Sequence, residues 1–223
     1  MTELVTEGFT HVLVIDFEAT CWEGKFTHTC EIIEFPAVLY NLETQRIEKE
    51  FRQYVRPTET PELSEFCTRF TGITQQQVRD GVILAKCLLM FNNWVKETVQ
   101  ERGLLFPRMD RRNMHGNVAL MTWSNWDMTK CLKQECVRKS LSRASYFNQW
   151  IDLKKCYEEC FNYPPRSFAD ALDFARLKFE GRQHCGMDDA RNIAKLAGLM
   201  HRRGYRFELT ANLLPPNKMN FPF

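Results

Sequence analysis

The sequence predicts an α/β fold, a mixed sheet of antiparallel and parallel strands covered by helices. Three observations carry that prediction. The first quarter of the chain holds apolar runs of strand length joined by short polar turns. The apolar spacing then changes to a helical one, and a further apolar run, Val118–Trp123, lies between helical segments. A meander of strands followed by strands alternating with helices gives antiparallel pairing first and parallel pairing later.

The first strand is expected at His11–Asp16, the second at Ile32–Leu39 and the third at Ile47–Val55, with Asn41–Thr44 as the polar turn between the last two. Pro57 and Pro61 end the strand pattern. Leu84, Leu88, Phe91, Val95 and Val99 recur at helical spacing and predict a long amphipathic helix. Val118–Trp123 reads as a buried strand, with a helix beginning near Asp127. Leu153, Cys156, Tyr157 and Cys160 form another helical stripe. Ser167 and Asp170 have the spacing of a capping box ahead of the stripe Phe168, Leu172, Ala175 and Phe179. A last helix is expected over about 187–203, lined by Ile193, Leu196 and Met200.

Length and composition fit one domain. The chain has 223 residues, 44% hydrophobic and 26% charged, enough for a sizeable core. A net charge of +2 is too small for binding to nucleic acid through the whole protein field, so any basic surface must be local. Arg108, Arg111, Arg112 and His115 supply one such concentration in the segment 103–117, expected as an exposed loop. Lys154, Lys155 and Arg182 are further candidates for contacts to a phosphate backbone. Nine cysteines without a Cys-x-x-Cys pair, and no apolar leader in Met1–Thr10, predict free thiols in the cytoplasm or nucleus. No apolar stretch is long enough to cross a membrane. Cys131, Cys136, Cys156 and Cys160 could in principle bind zinc, but Cys156 and Cys160 share an apolar stripe, which favours buried thiols.

The acids carry the chemistry. Asp16 and Glu18 close the first strand and, two residues apart, project to one side. Two carboxylates aimed at one point repel each other, and a hard divalent cation is the common remedy. The Asp-x-Glu spacing is weak alone; its place at the end of a buried strand strengthens it. Asp127, in Trp123-Ser-Asn-Trp-Asp127, follows the later strand and opens a helix. His184 and Asp189 stand at the mouth of the last helix. Asp189 shares the stripe of Ile193 and Leu196, whereas Asp188 lies about 100° around the helix and reads as a cap or surface acid.

Taken in order, Asp16, Glu18, Asp127, His184 and Asp189 resemble the signature of the DEDDh exonucleases, members of the DnaQ-like superfamily with a ribonuclease H-like fold. Asp16-Phe-Glu-Ala-Thr-Cys21, Phe66-Cys-Thr-Arg-Phe-Thr-Gly-Ile-Thr74, Trp123-Ser-Asn-Trp-Asp-Met128 and His184-Cys-Gly-Met-Asp-Asp189 resemble its enhanced-RNAi, or histone-mRNA 3′-end exonuclease, subfamily. The resemblance covers 9–204 as the exonuclease domain, leaving 1–8 and 205–223 as terminal extensions. A separate N-terminal nucleic-acid-binding module of the kind some relatives carry is not expected.

The resemblance implies a 3′→5′ exonuclease that hydrolyses phosphodiester bonds at 3′ ends of RNA, and of DNA, releasing nucleoside 5′-monophosphates. It implies two Mg2+ ions, replaceable by Mn2+, on Asp16, Glu18, Asp127 and Asp189. His184 is implied as general base and Glu18 as a catalytic residue. Glu18, Ala19, Phe66, Trp126, Met128 and His184 are implied as nucleotide contacts. A monomer without a membrane partner is expected. The competing readings are an idle nucleic-acid-binding protein on the same fold, and a zinc module.

Overall fold

The computed structural model describes residues 8–24, 29–107 and 117–213. Arg108, Arg111, Arg112 and His115 lie outside the described residues, as does most of both terminal extensions. The strands, in chain order, are β1 (His11–Ile15), β2 (Glu18–Ala19), β3 (Ile32–Asn41), β4 (Arg46–Tyr54), β5 (Val118–Thr122), β6 (Gln149–Asp152) and β7 (Ala211–Asn212). The helices are α1 (Glu65–Thr71), α2 (Gln75–Asp80), α3 (Leu84–Arg102), α4 (Lys133–Arg138), α5 (Leu153–Phe161), α6 (Phe168–Phe174) and α7 (Gly186–Arg202). A π-helical turn, Asp127–Leu132, leads directly into α4.

β3 is the hub of the sheet. It pairs antiparallel with β1 and β2 along one edge and with β4 along the other. β1 then pairs parallel with β5, β5 parallel with β6, and β6 antiparallel with β7. The mixed sheet expected from the sequence is therefore present.

The two faces of the sheet are read straight from strand alternation. Leu13 and Ile15 face a cluster with Phe35, Leu120 and Trp150, covered by Leu84, Leu88 and Phe91 of α3. Val12 and Val14 face the opposite cluster with Val38, Met121 and Ile151, covered by α5, α6 and α7. This arrangement removes the zinc alternative. Cys131 and Cys136 pack in the first cluster, while Cys156 and Cys160 pack in the second, so the sheet separates the two pairs. Burial pushes the thiols of Cys136 and Cys156 up to about 11, as expected of apolar core residues.

Several boundaries differ from the sequence expectation by a residue or two, and two of the differences have a local cause. β1 stops at Ile15, because the strand line is interrupted at Asp16-Phe17 and resumes as β2, whose register shifts between Glu18 and Ala19. Ile15 pairs with Ala37 and Glu18 with Glu34, so Pro36, which has no amide hydrogen, falls opposite the break. α6 begins at Ser167 as expected, its hydroxyl accepting the Asp170 amide, but ends at Phe174. Arg176 turns left-handed at φ 57°, which carries Phe179 out of the helix to pack against the second cluster from a loop.

A buried charge cluster fastens the segment ahead of α1 to α4. The Glu31 carboxylate accepts the amides of Thr58, Glu59 and Thr60, at 2.7, 3.0 and 2.7 Å. Lys139 reaches both Glu31 and Glu135 at 2.6 Å, and Glu135 accepts the Ile32 amide at 2.7 Å. Both carboxylates are fully buried, so removing their shared cation leaves two unpaired charges inside the protein. Lys139→Met is expected to lower the urea unfolding free energy by about 3 kcal/mol. A loss below about 1 kcal/mol would show that the carboxylates find water or protons instead.

Candidate active site

The strand break at Asp16-Phe17 creates the site. The Phe17 amide donates to Asp127 Oδ1 at 2.9 Å, which binds the loop between Asp16 and Glu18 to the start of the π-turn. Asp16, Glu18 and Asp189 each offer a carboxylate oxygen, and these atoms lie within 4.8 Å of one another. Among the described residues this is the one such group of His, Cys, Asp or Glu. Three hard oxygen donors at that separation fit a divalent cation of the magnesium, calcium or manganese type. Asp127 stands beside the triplet, close enough for its charge to raise the Asp16 carboxyl.

The electrostatics agree with that geometry. Burial first, and then the neighbouring acids, push Glu18 up to about 9 and hold Asp16 well above the usual carboxylate range. Burial likewise raises Asp127 and Asp189 to about 7. Without a cation, the folded protein keeps protons on these groups that the unfolded chain would release.

The fold brings Asp189 in from α7 by a close approach. A Cβ on Gly186 would sit 2.6 Å from the Asp16 carbonyl oxygen and 3.0 Å from Pro36 Cγ, so only glycine lets the helix start this near the strand break. Cys185 gives α7 no side-chain cap. Glu34 Oε2 instead takes the Gly186 amide at 3.2 Å, and the Cys185 amide donates to the Arg182 carbonyl at 3.3 Å. Glu34 is itself fully buried and paired with Arg52 Nε at 2.7 Å. Asp188 has the other role expected of it. It accepts the Arg182 amide at 3.0 Å and pairs with Arg191 at 3.2 Å, away from the cluster.

His184 stands at the exposed lip. Its backbone is left-handed at φ 60°, a conformation costing a non-glycine residue about 1 kcal/mol. Its ring stacks on Phe70 with centroids 3.8 Å apart, and Phe70 stacks on Phe66 at 5.4 Å. Burial, and then the Arg182 charge, lower its pKa from the ordinary 6.5. The imidazole is therefore neutral, and able to accept a proton, at neutral pH.

Across the opening, the turn before Asp127 is braced from beneath. Thr122 Oγ1 donates to the Ser124 carbonyl at 2.6 Å, and Trp150 Nε1 donates to Asn125 Oδ1 at 2.8 Å. The turn thereby projects Trp126, 44% exposed, into solvent. Met128 does not join it. It is fully buried in the core beneath the π-turn, because that turn points it toward α3's side of the sheet, and it has no surface to offer a nucleotide. Ala19 is buried beside Glu18 with a small exposed fraction. Arg182 also departs from expectation: its guanidinium is spent on carbonyl groups of α1.

Sequence reasoning missed Phe70, Glu34 and Gly186. Phe70 lies four residues after Phe66 on α1, the spacing that puts two rings on one helix face. Glu34 was visible as an acid inside the apolar run Ile32–Leu39.

Comparisons with known proteins place the chain among exonucleases. The RNase_T family, described as exonuclease, matches residues 13–197. The chain is 44% identical over 220 residues to the 3′-5′ exonuclease Snipper of Drosophila melanogaster, covering 97% of this chain and 78% of that protein. It is 44% identical over 218 residues to ERI1 exoribonuclease 2 of Homo sapiens, covering 96% of this chain but only 32% of that protein. Among solved structures, the nuclease domain of 3′hExo, a DEDDh family member bound to rAMP, superposes with a TM-score of 0.81 at 33% identity. That match covers 92% of this chain and 98% of the domain. A complex in which a 3′-exonuclease recognises a histone mRNA stem-loop superposes with a TM-score of 0.80 at 33% identity, covering 92% and 87%.

Two outcomes follow from the buried acids. All four carboxyls titrate higher in the folded protein than in the unfolded chain, so the metal-free protein binds more protons than its unfolded state. Its stability must therefore fall as pH rises from about 4 toward 9. Melting curves in chelator should show this decline, and Mg2+ or Mn2+ should reverse it at pH 8; a flat metal-free profile would contradict it. Asp127→Asn keeps an oxygen for the Phe17 amide while removing one charge. Its metal-free melting temperature should equal or exceed that of the parent while activity is lost, and a clear fall would mark Asp127 as structural.

Proposed function

The chain belongs to the RNase_T exonuclease family, as a DEDDh 3′→5′ exonuclease of the ribonuclease H-like fold, and on that premise we propose how its residues divide the reaction. Asp16, Glu18, Asp127 and Asp189 hold two divalent cations, Mg2+ by preference with Mn2+ as a substitute. When bound, such a pair supplies charge neutralisation at the scissile phosphate and at the attacking and leaving oxygens. The observation that carries this reading is the convergence of the Asp16, Glu18 and Asp189 oxygens within 4.8 Å.

His184 accepts the proton of the attacking water. It enters the reaction unprotonated, since burial and Arg182 keep its pKa below 6.5. Glu18 orients the attack, and with Ala19 it borders the terminal sugar. Trp126 on one side and the Phe66–Phe70 stack on the other receive the 3′-terminal base, and stacking on aromatic faces tolerates any sequence. The product is a nucleoside 5′-monophosphate.

The substrate is RNA with an accessible 3′ end, with DNA also accepted. Names of relatives support the first half, since several are exoribonucleases. All five signature residues come from one chain, so a monomer suffices. Free thiols at all nine cysteines fit the cytoplasm or nucleus, and among the described residues no helix is long and apolar enough to cross a membrane.

The test uses a 5′-labelled RNA with a 3′ overhang and a matched DNA, with Mg2+ or chelator. A ladder shortening from the 3′ end, absent in chelator and with Asp16→Ala, supports the reading. Binding without shortening under every metal condition would favour an idle nucleic-acid-binding protein. The pH dependence is specific as well. kcat/KM should rise with pH through a midpoint below 6.5 as His184 loses its proton. His184→Ala should flatten the profile and lower its plateau by about 10²- to 10⁴-fold; an unchanged profile in the variant would remove His184 from the mechanism.

A further inference from the structure

The segment from Gly181 to Cys185 crosses the lip of the site between α6 and α7, and His184 sits in it at φ 60°. Two contacts fix the far side of this segment. Asp188 accepts the Arg182 amide at 3.0 Å, and Asn192 bonds both the amide and the carbonyl of Glu180, at 3.0 and 2.8 Å. Gly181 is left-handed at φ 93°, and any side chain there would strike the Asp188 carboxylate.

The near side is fixed by one residue. The Arg182 guanidinium donates to the carbonyls of Arg69 at 2.9 Å and Phe70 at 3.2 Å, and also to that of Thr71. These are the last carbonyl groups of α1, which lack partners within the helix and carry its negative dipole end. The fork is seated closely: Gly72, the left-handed C-cap of α1, has no Cβ, and one would collide with the guanidinium. The same helix carries Phe70, against which the His184 ring stacks at 3.8 Å. Arg182 and Phe70 thus hold His184 to one helix by its backbone and by its ring.

We propose that Arg182 is a positioning residue for the reaction, fastening the His184 segment to the C-terminal end of α1 so that the imidazole is held at the site. This rests on His184 being the general base. Arg182 makes no contact with the acidic cluster, and both of its terminal nitrogens donate to the protein itself. It acts through His184 alone.

The experiment is a double-mutant cycle between Arg182 and His184, read as kcat and KM on single-stranded RNA, with Mn2+ affinity measured by calorimetry on each protein. Arg182→Ala should lower kcat by about 10²-fold, the scale of a misplaced catalytic group. KM and Mn2+ affinity should stay near those of the parent. In the His184→Ala background the same substitution should remove nothing further. Arg182→Lys keeps the charge but cannot reach three carbonyls, so it should give an intermediate loss, and it carries the cycle if the alanine variant fails to fold. An equal loss in both backgrounds, or a raised KM with kcat preserved, would overturn the proposal and make Arg182 a substrate contact. Full activity of His184→Ala alone would instead overturn the assignment of the base, and the proposal with it.

Discussion

Everything near the site follows from crowding carboxylates into a place with little water. At 4 Å, two like charges repel by about 4 kcal/mol at an effective dielectric of 20, and burial adds a further cost for each. A protein tolerates this only if backbone geometry leaves the acids no alternative. Here the geometry comes from a strand that breaks opposite Pro36, a buried Asp127 that takes the Phe17 amide, and a glycine that lets α7 start against the Asp16 carbonyl. Glu34, bound to Arg52, receives the first amide of α7 and completes the joint between sheet and helix.

The histidine is handled differently from the acids. They are anchored in the sheet and in helix starts, whereas His184 rides on a loop that owes its shape to Asp188, Asn192 and Arg182. Separating the two lets the acids be rigid while the base stands at the solvent edge, where substrate enters. The aromatic groups follow the same division. Phe35, Phe91 and Trp150 fill the core, while Trp126 and Phe70 are exposed on either side of the opening. Glu31 and Lys139 connect those two sides, tying the segment ahead of α1 to the helix that continues from Asp127.

Much of this was legible in the sequence. Strand alternation in His11–Ile15 and Val118–Thr122, and the 84-88-91-95 stripe of α3, are local signals of which face is buried, and the fold kept them. The five signature residues were legible through their resemblance to the DEDDh signature, which their places at a strand end and at helix starts strengthened. What escaped depends on contacts distant in sequence. Nothing local to Asp16 says that Pro36 interrupts its strand, and nothing local to Met128 says that a π-turn buries it. Arg182 reads as a free surface cation until α1 is placed beside it, and Phe179 as helical until Arg176 turns left-handed.

The account stands on the claim that the protons on the buried acids are displaced by a divalent cation. The direct measurement is calorimetric titration of Mn2+ into metal-free protein at pH 7, in two buffers of different ionisation enthalpy. With Glu18 near 9, Asp127 and Asp189 near 7 and Asp16 raised as well, binding should release about two to three protons per chain, and the observed heat should differ between the buffers accordingly. Binding with identical heats in both buffers would mean the acids are already ionised, and absence of binding would mean the cluster is not a metal site.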